Sequence, residues 1–487
     1  MNELSNLNDV LLSPLGLAPL ICAALGVALL RGRIWTFLRS LRCSNRVYVI
    51  ALALSVITLA VAFHFLQPRV IPWGGEDRYF PRAMNVIEHG VFGTGMERSA
   101  MFPPGYSFLL VPLAFILEGS RWAFFLTNIT LLLLSSVVLR RMLILLGTPE
   151  ALGNVFSLLF FLYPNRLLST LIPFSDVPFS LLFMLAFTGM LLSQKRGTTM
   201  AFPALTGALA GAAALVRSNG LLLLVPLFLG FMLSKESPPH DRWKRAILMS
   251  MVAFAVLLPW TVRNYTLFHR LIPISNNGGL NLALGNNPTK PIVGNDYSDT
   301  LPTDSSSWER LGGKYWDEAQ RDSFFANLGL HYIWQNPGTF AVLGIRRITR
   351  AMAADSYSFG QLETYTNARN LIFTILGEKR RDPIFRQPLG ALYVTVYHLL
   401  FIVNNSLYYF LVLLVVYGFI RPIKQTRLVR TTFLLVAAIV WLTISLTFGV
   451  SRFKEPIGAL LPLVVCMLAI VPRRTLPPLE PEDPRVS

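Results

Sequence analysis

The stretch from residue 31 to residue 66, RGRIWTFLRSLRCSNRVYVIALALSVITLAVAFHFL, sets the pattern of the whole chain. Five arginines (Arg31, Arg33, Arg39, Arg42 and Arg46) crowd its first part. From Val47 to Leu66 there is then no Asp, Glu, Lys or Arg. A helix that crosses a bilayer needs roughly 20 mainly apolar residues, and this run supplies them. Short basic loops belong on the cytoplasmic side, so the arginine cluster orients the span that follows it.

The same alternation recurs outward in both directions. Apolar runs near 14–30, 47–66, 122–139, 149–165, 176–193, 201–216, 219–234, 245–262, 390–420, 431–450 and 456–472 predict about eleven transmembrane helices in an all-α polytopic membrane protein. Of the 487 residues 53% are hydrophobic and only 14% charged, with mean hydropathy +0.52. An ordinary soluble domain carries about 25% charged residues, so a soluble enzyme, a disordered chain and a collagen-like fibre are all excluded. The net charge of +17 would point to nucleic acid in a soluble protein. Here it sits in clusters between apolar runs, so no nucleic-acid partner is expected. The leading MNELSNLNDV lacks a basic start, so the first span is not read as a cleavable signal. Cys22, Cys43 and Cys466 form no disulfide framework or metal pair.

Further clusters at Arg140-Arg141, Lys195-Arg196, Lys235 to Arg245, Arg421 to Arg430 and Arg473-Arg474 fall on one side if the spans alternate. The N-terminus is then outside and the tail, residues 475–487, inside. The apolar run Tyr106–Leu117 is too short for a span and would invert every later cluster, so it reads as an interfacial or re-entrant helix after Pro103-Pro104-Gly105. Residues 68–121 thus form one outer loop. Within it, EDRYFPRAMNVIEHG (76–90) places Phe80, Ala83, Met84 and Ile87 on one helical stripe, with Gly90 as its stop. Residues 1–46 add an extra N-terminal helix and a basic loop to a core at 47–262. A large outer segment spans 263–389, with a helical stretch near 308–335 broken at Asn336-Pro337 and the basic amphipathic FAVLGIRRITRAM after it. The C-terminal helices occupy 390–474.

Chemistry gathers on the outer side. Glu76 and Asp77 open the first-loop helix, where adjacent acids serve either as a general base or metal ligand, or as a helix cap. Asp176 stands where an outer loop re-enters the membrane, again as a used acid or a cap. Arg166, Arg217, Arg263, Arg452 and Lys454 lie at outer span ends, against the charge rule. Cations in such places need partners. Snorkelling to lipid headgroups is one answer, and a bound phosphate is another.

In their order along the chain these motifs resemble the integral-membrane glycosyltransferases of the GT-C fold, in the branch of protein O-mannosyltransferases and the bacterial lipid A aminoarabinose transferase. The resemblance runs from Trp73 to Arg474. It rests on EDRYFPRAMNVIEHG followed by MFPPGYSFLLVPL, on LIPFSDVPFSLLF, on ALVRSNGLLLLVP with LLPWTVRNY and NGGLNLALGNNP, and on FGVSRFKEPIGALLPLV. Phe453 stands in the last where the family has a tyrosine. The resemblance implies a polyprenyl-phosphate sugar donor and inverting transfer to a hydroxyl of a glycan, lipid or protein acceptor at the outer face. It implies a catalytic carboxylate at Asp77 or Glu76, a second-loop acid at Asp176, and donor-phosphate contacts from Arg452, Lys454, Arg263 and Arg217. Arg166, Tyr79 and Asn264 are further members of such a site. Some relatives carry a metal-binding acid just before the Pro-Pro pair. This chain has Glu97-Arg98-Ser99-Ala100-Met101-Phe102 there, which leaves a divalent metal open and implies no other cofactor. A bacterial plasma membrane with the site outside is the expected location, with the endoplasmic reticulum as the alternative. The rival function is a transporter or flippase for an anionic glycolipid. That function has less use for an acid-bearing outer helix and would more often show two related halves, which the sequence lacks.

Overall fold

In the computed structural model, residues 21, 23–25, 40–66, 79–145, 147–193, 199–233, 238–287, 317–353, 388–420, 427–447, 454, 457–461 and 464 are described. The described part is almost wholly helical. In chain order the helices are α1 (Asn45–Leu66), α2 (Tyr79–His89), α3 (Gly105–Ile116), α4 (Trp122–Leu145), α5 (Glu150–Phe161), α6 (Pro164–Thr170), α7 (Asp176–Leu192), α8 (Ala201–Val216), α9 (Leu224–Met232), α10 (Pro239–Phe268), α11 (Gly278–Gly285), α12 (Glu318–Gln335), α13 (Pro337–Ala353), α14 (Pro388–Ile420) and α15 (Arg427–Leu446). Two short strands, β1 (Gly93–Thr94) and β2 (Glu97–Arg98), pair antiparallel between α2 and α3.

The helices turn one face to a core and the other to the surroundings. On α1, Tyr48, Leu52, Leu59 and Phe63 face inward, while Val47, Ile50, Leu54, Ile57, Val61 and Phe65 are exposed. Such a stripe of bare aliphatic side chains on a long apolar helix suits lipid and would be costly in water. The core is rich in fully buried phenylalanine: Phe124, Phe125, Phe161, Phe174, Phe179, Phe183 and Phe187. Around it α4 packs on α5 and α7, α7 on α8, and α8 on α10. The α8–α10 contact is backbone to backbone. A Cβ on Gly211 would sit 2.7 Å from the Ala253 carbonyl oxygen, and one on Gly207 would be closer still to that of Met249. Small residues at such a seam are how membrane helices approach closely without a hydrophobic drive between them.

Four described helices are long and apolar enough to cross a membrane: Asn45–Phe65, Trp122–Leu145, Pro239–Phe268 and Leu399–Val416. Helices α5 and α6 together have the length and apolar composition of a further span or a re-entrant loop, bent by 57°. The expected run 149–165 is therefore interrupted, because Pro164 cannot donate to the α5 ladder and starts a new helix instead. The run 219–234 likewise opens as a tight 3-10 turn, Ser218–Leu221, before α9. The helices at 176–193, 201–216 and 431–450 are present but fall below the length that spans alone. The runs at 14–30 and 456–472 lie largely outside the described residues, so the expected eleven spans are not reached among those described.

Helices α2 and α3 fall close to the ranges the sequence predicts. The helix α2 ends at His89, with Gly90 at φ +66°, a left-handed stop that only glycine adopts without strain. Helix α3 follows the Pro-Pro-Gly start and ends where Glu118 and Gly119 take positive φ. In the large outer segment α12 begins at Glu318, with Asp317 and Gln320 forming a reciprocal capping box.

The sidedness inferred from the basic clusters has a direct test. His269, at the end of α10, and His240, at its start, are both exposed. A cysteine placed at 269 should react with an impermeant thiol reagent added outside intact cells, and one at 240 should react only after lysis. The opposite pattern would invert the architecture.

Candidate active site

The segment 68–121, expected as the first outer loop, reaches the core through its helices α2 and α3. Phe80 and Ala83 of the stripe read from the sequence are buried, as is Tyr79 beside them, and α2 packs on α3. The start of α3 lies hard against the end of α8, where a Cβ on Gly105 would come within 2.8 Å of the Leu215 backbone. Glycine here lets the Pro-Pro-Gly motif touch the strand of chain that leads into Arg217. The rings of Tyr79 and Tyr106 meet edge to face at 5.2 Å, with Phe102 at 6.3 Å from Tyr79. Arg82, one turn along from Tyr79, lies over the Phe102 ring at 4.5 Å.

The second outer loop meets them there. Ser175 donates to the Tyr79 hydroxyl across 3.4 Å. The next residue, Asp176, opens α7 and forms a buried ion pair with Arg217 from the turn after α8. Arg217 also lies over Phe179 at 5.7 Å. Burial holds the Tyr79 hydroxyl protonated well above its usual range. The hydrogen bond from Ser175 and the charges of Arg217 and Arg82 pull it down, and Asp176 pushes it up. Four motifs separated by up to 140 positions in the chain thus share one place: the tyrosine of the first loop, the Pro-Pro-Gly start, the Ser-Asp pair and the Arg-Ser-Asn-Gly turn.

A hydrogen-bonded rail sets the depth of this cluster. Tyr106 donates to the Asn128 Oδ1 at 2.8 Å, and Asn128 Nδ2 donates to the Ile172 carbonyl at 2.9 Å. All of it is buried. Tyr106→Phe leaves the Asn128 oxygen without that donor, so unfolding in detergent should occur with stability lower by about 1–3 kcal/mol. An unchanged melting temperature would show that the rail is dispensable.

Other candidates are placed differently. Arg263 gives its donors to the carbonyls of Ser99 at 2.7 Å and Phe92 at 3.2 Å and to Asn264 Oδ1 at 3.0 Å, and it stacks over Trp260 at 4.5 Å. Asn264 is fully buried and donates to the Ile272 and Ile274 carbonyls. This pair ties α10 to the β-hairpin and to the segment after α10. The described partners of Arg263 are thus backbone carbonyls, the Asn264 side chain and the Trp260 ring.

Arg166 and Lys454 come together from sequence-distant segments. An apolar groove with a cavity volume of about 90 Å³, open in part to the surroundings, runs beside α5 between Leu41, Phe156, Leu159, Leu407 and Leu411. Helix α5 has 12 residues, a length of about 18 Å. Arg166 and Lys454 both line this groove. Arg166 stands over Phe160 at 4.1 Å and Lys454 over Tyr408 at 3.8 Å. Both cations are buried. The backbone N–H of Asn165 donates to Asn404 Oδ1 of α14 at 2.9 Å, which pins the two walls together. Arg166 is also within Coulombic reach of Asp176, so the groove and the first cluster are neighbours. Glu76, Asp77 and Arg452 lie outside the described residues. Among the described residues, no cluster of three His, Cys, Asp or Glu side chains could hold a metal ion.

Sequence reasoning missed Arg82, Tyr106 and Asn128. Arg82 sits off the apolar stripe, although it is three residues from Tyr79 and so on the same side of the helix. Asn128 stands alone in an apolar run, where a polar group needs a partner, and that was the available signal.

No family model matches the chain, and no curated protein sequence matches it either. Among solved structures it is similar to the archaeal oligosaccharyltransferase AglB from Archaeoglobus fulgidus in complex with an inhibitory peptide and a dolichol-phosphate, at 16% identity and TM-score 0.46, over 87% of this chain and 50% of that one. The chain therefore spans about half the length of that protein. It is also similar to ArnT from Cupriavidus metallidurans bound to undecaprenyl phosphate, at 12% identity and TM-score 0.39, over 88% of this chain and 78% of that one.

Proposed function

We propose that the protein is a membrane glycosyltransferase that moves a sugar from a polyprenyl-phosphate donor to an acceptor hydroxyl at the outer face of the membrane. The observation that carries this reading is the apolar groove with Arg166 and Lys454 in its wall, within charge reach of the buried Asp176–Arg217 pair. A lipid phosphate needs a dry channel for its chain and cations for its head, and the groove offers both. The aromatic faces under the two cations hold them in place before a phosphate arrives.

The chemistry is an inverting displacement. A carboxylate takes the proton of the acceptor hydroxyl as its oxygen attacks the anomeric carbon. The bond from that carbon to the phosphate oxygen breaks on the opposite face, and the lipid phosphate leaves with the electron pair. Arg166, Lys454 and Arg452 stabilise the charge it gains, which is the electrostatic share of catalysis. The base is Asp77 or Glu76, two or three residues before Tyr79 in the chain and so within about 7–11 Å of it along an extended backbone. Asp176, paired with Arg217, is the second-loop acid of the same cluster and acts on the acceptor. The residues 263–389 cover the site and read the acceptor. A bacterial plasma membrane is the location this reading fits.

The test is turnover of a radiolabelled polyprenyl-phosphate sugar in proteoliposomes holding the purified chain. Labelled product with at least one sugar and acceptor extract is expected. Lipid translocation without product from any donor would overturn the reading in favour of a flippase.

A further inference from the structure

Helix α13 presents two unlike faces. Leu343, Gly344, Arg347 and Ala351 are buried. Gly338, Ala341, Val342, Ile345 and Thr349 are exposed and recur at helical spacing on the opposite side. Val342 is 50% and Ile345 68% exposed, and Trp334, at the end of α12 just before, is 83% exposed. The buried face is firmly attached. Arg347 is 1% exposed. It donates to the Ser445 carbonyl at 2.8 Å, to Asn286 Oδ1 at 3.2 Å and to the Gly285 carbonyl, so it joins α13 to the ends of both α15 and α11. The outward face is therefore not a surface awaiting a rearrangement of the same chain.

We infer that α13 and the Trp334 corner lie in the plane of the bilayer, with Val342, Ile345 and Trp334 seated at the headgroup–acyl boundary of the leaflet where α15 ends. Three observations commit the surface to lipid. A Cβ on Gly344 would lie 3.2 Å from that of Ser445, which places α13 across the end of α15. The exposed Trp441 and Leu442 of α15, within one turn of that crossing, continue the apolar band down the span. The sequence of α13, PGTFAVLGIRRITRAMA, has no acid, and beside the buried Arg347 it carries Arg346, half-buried, a charge that suits anionic headgroups. An exposed tryptophan beside a basic apolar helix is the usual composition of an interfacial anchor. The consequence reaches the site. Through Arg347, the seating of α13 fixes the end of α15, and Lys454 follows seven residues after Thr447. This inference stands whether or not the donor reading holds, because it concerns only where the helix lies.

The experiment uses the full chain in vesicles of phosphatidylethanolamine and phosphatidylglycerol. Cys22, Cys43 and Cys466 are replaced by alanine, and Ile345→Cys carries an environment-sensitive fluorophore. Val342→Cys serves as the second position if the first variant folds poorly. Emission should be blue-shifted and quenched severalfold more by lipids spin-labelled near the headgroup than by aqueous iodide. Strong iodide quenching without lipid quenching would overturn the inference. Disulfide-linked dimers of Ile345→Cys in place of lipid quenching would also overturn it, and would assign the face to a second copy of the chain.

Discussion

Asp77→Asn should lower sugar transfer by about 10²–10⁴-fold, the usual worth of a positioned general base, while folding and donor binding stay near parental levels. The substitution separates the two readings of this acid. Asparagine keeps the size and caps a helix as well as aspartate does, so a capping role forecasts little loss. Glu76→Gln run in the same assay settles the register. If Glu76→Gln is dead and Asp77→Asn active, the base moves by one residue and the mechanism stands. Parental rates in both variants and in the double variant would end the carboxylate mechanism at this motif. Tyr79 makes the location plausible on physical grounds, since its ring and hydroxyl already bind the first loop to Asp176 through Ser175.

The membrane helices were legible because their signal is cumulative. Twenty apolar residues in a row and arginines at one end leave few alternatives. What the sequence could not supply was how apolar runs break. Pro164 divides one run, and the Ser-Asn-Gly turn shortens another, because a missing donor or a tight turn ends a helix wherever neighbouring helices satisfy the freed backbone groups. Apolar content says nothing about that.

The site was legible in its residue types and not in its pairings. Cations at outer span ends were read as needing partners, and each described one has them. The partners differ: Asp176 for Arg217, backbone carbonyls for Arg263, and aromatic rings beneath Arg166 and Lys454. Charge type fixes that a buried cation must be answered, whereas which group answers it depends on contacts such as Arg217 with Asp176, 41 residues apart, and Arg263 with Ser99, 164 apart. The pairing of Asp176 with Arg217 also changes what that acid can do. Its ion pair fastens the start of α7 to the turn after α8, which makes Asp176 an anchor of the cluster and leaves the first-loop acids as the proposed base.

The double variant Arg166→Ala with Lys454→Ala should weaken donor binding by about 10²–10⁴-fold. One charged partner lost from a phosphate contact is worth about 1.5–3 kcal/mol, and two that act independently add. The Asp176–Arg217 pair and the Tyr106–Asn128 rail use other side chains. Both parent side chains lie over aromatic rings, and alanine removes that packing too, so Arg166→Lys and Lys454→Arg are the informative companions. They keep the charge and a ring contact but change the donor geometry from fork to point or the reverse. Arg166→Lys should therefore lose less than Arg166→Ala while losing measurably. The readout is the KM for donor in proteoliposomes together with binding of the unsugared lipid phosphate by the purified chain. A loss in kcat with unchanged lipid-phosphate affinity would move these cations away from the ground-state phosphate. Full retention of both in the double alanine variant would remove the groove from the donor site, since no buried pair of cations in contact with a bound phosphate could be deleted without cost.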